Sequence, residues 1–314
     1  MCKKGRNFEE NAVKRLLATA LVSLTALGTV YSGAWAGSMI EEGRNFPNLN
    51  DANIMKKAYI VDAPSESATE FDFRLKGYVF GIRMIKADYK GYFDGAKYAV
   101  YTDLKTSGLG AMLKKLEIWA VTRGSYTRSD LVPDFHIQQN MNKKNRRVEM
   151  NYNNRSGYVH TAIVPPNGSF GTPPATKAQA YESDDAISAL LNMLMRGHRI
   201  DADVCSGSVP VYDSKQHYNL RMEKAGRKTL KFNGEKVDTL RCHVYYEPIA
   251  GFDPEDLPDE EEGSTPINVY LMDMPELGLS VPIRFTYKIS SIKAVIKLDS
   301  MRYKNGNGLV ELKK

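Results

Sequence analysis

Two thiols are the residues best placed for covalent chemistry. The chain has three cysteines; Cys2 lies in a leader expected to be removed, which leaves Cys205 and Cys242. In an oxidising compartment the simplest fate of two cysteines is one disulfide, and closing a loop of that length stabilises a fold by about 4 kcal/mol in the chain-entropy model. A redox pair or half of a metal site fits less well. There is no C-x-x-C, and His243 falls on the opposite face of a strand from Cys242. The other chemical groups are dispersed. His136, His160, His198, His217 and His243 offer no H-x-x-x-H spacing, so no metal site is expected. "CSGSV" at 205–209 is not a nucleophile elbow. "SGLGAM" lacks the third glycine of a dinucleotide loop and the parallel strand before it. Asp253, Glu255, Asp256 and Asp259 do not match a calcium loop. No catalytic residues, no cofactor and no enzyme activity are therefore expected.

The compartment follows from the amino terminus. Lys3, Lys4, Arg6, Lys14 and Arg15 precede the apolar run "LLATALVSLTALGTVYSG", which ends in Ala34-Trp35-Ala36 before Gly37. This reads as a secretory signal peptide over residues 1–36, cleaved between Ala36 and Gly37. A membrane anchor is the competing reading, since the run is about long enough to cross a bilayer. Cleavage takes away five basic and two acidic side chains, so the formal charge falls from +6 to +3, too little to imply nucleic acid as a partner. No later stretch approaches bilayer length, and the mature product is expected to lack a transmembrane segment. The basic cluster Lys143, Lys144, Arg146, Arg147 with Arg155 and the acidic segment "FDPEDLPDEEEG" (252–263) read as solvated loops. A contact of the basic cluster with anionic lipid headgroups is the alternative.

These residues must be held by a framework that is legible as period two. Phe71, Phe73 and Leu75 alternate with Asp72, Arg74 and Lys76; Leu240, Cys242, Val244 and Tyr246 alternate with Arg241, His243 and Tyr245. Ile283 to Ile289 and Ile292 to Leu298 repeat the theme. Such patterns predict half-buried antiparallel strands with one wet face. Asp94-Gly95, Asn233-Gly234 and Asn305-Gly306 supply the positive φ angles of tight hairpins. Gly77 and Gly81 are read as lying inside one strand-like segment, "KGYVFGIRM", as sites of a bulge or curl. "SDDAISALLNMLMRG" predicts a helix near 184–196, capped by Ser183 or Asp184 and stopped by Gly197. A shorter helix or a strand is expected over Leu109–Ile118, and an irregular loop over 164–177. The expected organisation is a signal peptide over 1–36, an extended lead-in over 37–68 with a short helix near 53–57, and a single antiparallel β domain over 69–314. The fold class is mainly β (α+β): a curved antiparallel sheet or incomplete barrel closed over one or two helices.

With eighteen tyrosines and a helix carrying Met193 and Met195 among leucines, apolar material dominates over catalytic material. It either fills a core or parts to admit a lipid chain. The residues expected on such an inner face are Ile187, Leu190, Leu191 and Leu194 of the helix with Leu240, Val244, Tyr246, Phe285 and Tyr287 of the sheet.

The segments "DFRLKGYVFGIRMIKADY", "YAVYTDLKTSGLGAML", "DDAISALL", "LKFNGEKVDTLRCHVYYEPIAG" and "INVYLMDMPELGLSVPIRFTYKI", in that order, resemble the exported bacterial family of domain of unknown function 3108. That family resembles in fold the periplasmic lipoprotein carriers LolA and LolB, with an incomplete barrel around an apolar cavity. The resemblance implies a periplasmic envelope protein that handles lipid or a lipoprotein, and it carries no catalytic residues. The alternative is a scaffold that docks on another envelope protein without a ligand.

Overall fold

The computed structural model describes residues 64–113, 115–127, 130–141, 145–153, 157–199, 203–306 and 308–313. The predicted signal peptide, the Ala36/Gly37 cleavage point, the helix near 53–57 and most of the lead-in lie outside them.

In chain order the elements are β1 (Thr69–Val79), β2 (Ile82–Asp94), β3 (Lys97–Thr106), α1 (Leu109–Leu113), β4 (Glu117–Tyr126), β5 (Leu131–Asn140), β6 (Arg147–Asn153), β7 (Tyr158–Val164), α2 (Lys177–Tyr181) and α3 (Ala186–Arg199). There follow β8 (Ser208–Tyr212), β9 (His217–Phe232), β10 (Glu235–Ala250), α4 (Glu260–Ser264), β11 (Ile267–Met274), β12 (Leu279–Ile289), β13 (Ile292–Asn305) and β14 (Gly308–Lys313). The strands form one antiparallel sheet in the order β7-β6-β5-β4-β3-β2-β1-β13-β12-β11-β10-β9-β8, with β14 on β13. Within β1–β7 and within β8–β14 each strand pairs with the next in the chain, and the single long-range pairing is β1 on β13, which brings Phe73 opposite Met301 and Val79 opposite Ala294. A sheet this wide must twist and curl.

The curl brings the edge strands β7 and β8 toward each other without a backbone ladder between them. Val148, Met150, Tyr152, Ile163, Ala180 and Tyr212 pack across the seam as one apolar cluster, and Tyr212 hydrogen-bonds the Thr161 side chain. The architecture is the expected curved antiparallel sheet, open rather than closed into a barrel. Its concave side holds the core, which α3 enters: Ile187, Ala189, Leu191, Met193, Leu194 and Met195 are all buried. Each such large apolar side chain gains roughly 1.5–3 kcal/mol from burial, so tertiary packing holds this helix in place.

The alternating segments become strands where expected; β1 reads out as strictly alternating burial from Phe71 to Val79. Three local expectations need correction. Gly81 is not inside a strand: Val79 pairs with Ile82, so Phe80 and Gly81, at φ 50° and 80°, form a two-residue hairpin turn. The helix cap is Asp185 rather than Ser183 or Asp184, because it is the Asp185 carboxylate that accepts from Ile187 N and Ser188 N. Gly197 does not stop the helix, which continues to Arg199. Gly77 does sit at a register shift, and a Cβ there would meet Ile85 Cγ1 at 2.4 Å. Among the described residues, no helix is long and apolar enough to cross a membrane.

Candidate functional site

The concave face encloses an apolar cavity between α3 and the sheet. Ile187, Leu190, Leu191, Met193 and Leu194 form its helical wall; Phe71, Phe73, Val244, Val281, Phe285 and Ile296 are among the sheet residues opposite. The enclosed room is ≈ 80 Å³, and crevices and the open mouth bring the space to ≈ 1000 Å³. The smaller figure decides what fits without movement: an engineered cavity that admits benzene has about 150 Å³. The room here is smaller than that. Leu190 is the half-exposed member of the helical wall.

Of the nine residues expected on this face, the structure brings six together at the cavity: Ile187, Leu190, Leu191, Leu194, Val244 and Phe285. Three lie elsewhere. Tyr246 packs on Tyr218 with ring centroids 4.8 Å apart and planes tilted by 48°, and meets Phe252 edge-on at 6.2 Å. Leu240, half-buried, packs on the core opposite Leu271. Tyr287 is buried beside β13, opposite Ala294. They share a strand face with cavity residues, but the curl sets them at other levels.

The walls differ in how they hold α3. On the side of β3–β5 the helix is fixed by a buried polar network that sequence reasoning missed. Asp185 accepts Thr122 Oγ1 at 2.8 Å and Ser188 Oγ at 2.5 Å, besides the two helix N–H groups. Thr122 Oγ1 lies 2.6 Å from His136 Nδ1. Because the one hydroxyl proton of Thr122 goes to the carboxylate, Nδ1 of His136 must be the donor to Thr122. By the same reasoning Tyr98, 2.7 Å from Ser188 Oγ, donates to Ser188. Burial alone would push the Asp185 carboxyl up, but His136 and these donors outweigh it and hold it below its ordinary value.

Asp184 and Asn192 extend the anchor. Asn192 receives Leu131 N at 2.7 Å and donates to Leu131 O at 3.0 Å, so a helix side chain pairs with the start of β5 as a strand would. Its amide also donates to Asp184 Oδ2 at 2.7 Å. The Asp184 backbone meanwhile bridges to the outer edge of β8: its N–H donates to Pro210 O at 3.1 Å, and Tyr212 N–H donates to Asp184 O at 2.9 Å. Burial, with the neighbouring Asp185 charge, pushes the Asp184 carboxyl up to about 7. Residues 184–192 thus tie β3–β5 to β8 across the mouth of the curl. The "DDAIS" stretch held a local signal for this, since an Asp directly before an apolar helical stripe is a favoured cap. Nothing local marks Thr122 or His136.

The far end of α3 is covalently held. Cys205 and Cys242 form a disulfide with Cα atoms 5.3 Å apart, tying the segment after the helix to β10. Cys242 is buried while His243 is half-exposed, in keeping with opposite faces. Arg196 donates to Ser206 O and Ser208 O, and His198 meets Asp273 at 2.8 Å.

The Thr122, His136 and Asp185 constellation has the residue types of an acid–base site, but its carboxylate is filled by four donors and all three side chains are buried. This arrangement positions a helix. Among the described residues, no group of three or more His, Cys, Asp or Glu side chains is placed to hold a metal ion. The basic cluster is likewise absorbed into structure where it is described. Arg146 donates to Pro165 O and Pro166 O at 3.2 Å, and Arg147 is buried beside Glu149. Lys143, Lys144 and Arg155 lie outside the described residues. The acidic segment 252–263 connects β10 to β11 through a short 3₁₀ turn and most of α4.

The fold and site together define an open antiparallel sheet curled around a single anchored helix with an apolar cavity beneath it. The chain belongs to the family described as protein of unknown function DUF3108, whose model matches residues 73–297. No curated protein matches the chain. A solved structure similar to it is a beta-barrel-like protein of domain of unknown function DUF1849 from Brucella abortus, at 10% identity, TM-score 0.42, and coverage of 76% of this chain and 98% of that one. Another is a "putative lipoprotein" from Parabacteroides distasonis, at 12% identity, TM-score 0.29, and coverage of 75% and 95%.

Proposed function

We propose that this protein is a non-enzymatic binding protein of the cell envelope that takes an apolar ligand, an acyl chain of a lipid or lipoprotein, between α3 and the sheet. The observation that carries this reading is the cavity at the helix–sheet junction, whose wall is almost wholly aliphatic and aromatic. A cavity so lined selects hydrocarbon because no polar partner inside it compensates a polar guest. Periplasmic residence follows in this reading from the basic and apolar leader and from the Cys205–Cys242 bridge, since such bridges persist in oxidising compartments. The helix is the gate: its polar anchor stays, and its apolar stripe moves off Val244, Val281 and Phe285 as a chain enters.

A second reading, a ligand-free scaffold that docks on another envelope protein, is favoured by the enclosed volume of only ≈ 80 Å³. Native mass spectrometry of the protein purified from its own envelope separates the two. A carrier retains a species heavier than the polypeptide by the mass of one lipid, which collisional activation releases. A bare mass at every activation energy favours the scaffold.

A further inference from the structure

We propose that the end of the sheet bearing the β1/β2 turn is a docking surface for a bilayer rich in anionic headgroups. This rests on residues outside the cavity and stands whether or not the cavity takes a ligand. Phe80, Ile82, Leu109 and Met112 are 63%, 44%, 51% and 81% exposed, and the fold gathers them at one end. Ser107 N–H donates to Met84 O at 2.9 Å, and a Cβ on Gly110 would fall 2.2 Å from that same oxygen, so α1 lies directly on the start of β2. Phe80 N–H donates to Lys293 O at 3.2 Å, joining the β1/β2 turn to the β12/β13 turn beside it.

Two features of this tip are costly to the folded protein on its own. Phe80 sits at φ 50°, a left-handed conformation that disfavours bulky residues and that the first position of a two-residue hairpin usually gives to Asn. Strain of this kind concentrates where a side chain is needed for another purpose. Lys288 and Lys293 stand directly opposite each other across β12 and β13, a like-charge pairing that opposes the hairpin. Arg83 and Lys115 are exposed nearby in sequence to the same apolar group. None of these four cations forms a hydrogen bond or ion pair among the described residues. Carboxylates of α4 and its cap also reach this end: Glu261 accepts Ser290 N–H at 2.8 Å, and burial together with nearby Glu262, Asp259 and Glu261 pushes the Tyr287 hydroxyl up.

A protruding aromatic and aliphatic tip rimmed by unpaired cations matches the interface of an anionic bilayer, where rings and methyl groups sink to the headgroup boundary and ammonium groups meet phosphate. The turn projects into open space, where an added Cβ on Gly81 meets nothing within 4 Å.

The test is co-sedimentation of the purified protein with vesicles of phosphatidylglycerol and phosphatidylcholine, against vesicles of phosphatidylcholine alone. The wild type is expected to bind the anionic vesicles, with affinity falling about fivefold for each of Lys288→Gln and Lys293→Gln. Phe80→Asn discriminates a docking role from a structural one. It relieves the strained turn, so the variant should unfold at higher urea than wild type while losing vesicle binding. Equal binding to both vesicle types, no binding to either, or a Phe80→Asn variant that binds as wild type overturns the proposal. So does site-specific crosslinking from position 80 in cells that captures one protein stoichiometrically and no lipid.

Discussion

The two sides of α3 are held by different physics. Toward β3–β5 the contacts are directional: Asp185, Ser188 and Asn192 reach Thr122, Tyr98 and the backbone of Leu131 through buried hydrogen bonds. Toward β1 and β9–β13 they are apolar except at the far end, where His198 meets Asp273, and they leave a cavity unfilled. A buried hydrogen bond is lost almost entirely on a small displacement and leaves unsatisfied groups behind. Apolar contacts lose energy gradually and can be remade with a guest. A helix held in both ways can hinge: one side fixes its place, and the other side can part.

The largest expected effect comes from cutting the anchor. Asp185→Ala removes the cap, leaves Thr122 and Ser188 without their shared acceptor and takes away the carboxylate 3.2 Å from His136 Nδ1, so chemical denaturation should show a loss of roughly 3–5 kcal/mol. A loss under about 1 kcal/mol would mean that the network does not anchor the helix. Next is the covalent tie. Cys205→Ser with Cys242→Ser should cost about 4 kcal/mol under oxidising conditions, and reduction of the wild type should lower its stability toward that of the double variant.

Asp184 sharpens the comparison through pH. Its carboxyl is raised to about 7 from an ordinary 3.8, so the folded state holds that proton more tightly than the unfolded chain. As pH rises from about 4 through about 7 this group takes stability away, and above 7 the cost of a buried charge is complete. Asp184→Asn should remove that slope and leave the protein more stable than wild type at about pH 8, on the order of 2–4 kcal/mol. Urea midpoints across that range measure it, and an unchanged slope would place the titrating group elsewhere. On the yielding side the effects are smaller. Leu190→Ala, at the half-exposed rim, should cost about 1 kcal/mol and widen the cavity rather than unfold the protein.

The same contrast separates what was legible in the sequence from what was not. Alternating strands could be read because one face of the sheet is wet, and period two survives in Phe71–Val79 and Ile283–Ile289 without knowledge of neighbours. The α3 stripe could be read because its apolar residues recur at helical spacing. Six cavity residues followed from these two local patterns. The anchor did not, because Thr122 and His136 are 63 and 49 residues from Asp185 and meet it only once the sheet has curled. The Phe80–Gly81 turn escaped because a phenylalanine at positive φ contradicts ordinary turn chemistry. Leu240, Tyr246 and Tyr287 were expected at the cavity and do not line it, because strand face alone does not specify height along a curled sheet.

The central claim is that the apolar side of α3 parts to admit a hydrocarbon chain while the polar side stays fixed. Titration of a fluorescent acyl-chain probe into the wild type and Val244→Phe tests it most directly, because the larger ring occupies the cavity and leaves the Asp185 network untouched. The account predicts saturable binding of one probe to the wild type and loss of binding in a Val244→Phe protein that remains folded. Equal binding by both proteins, or none by the wild type, would contradict it.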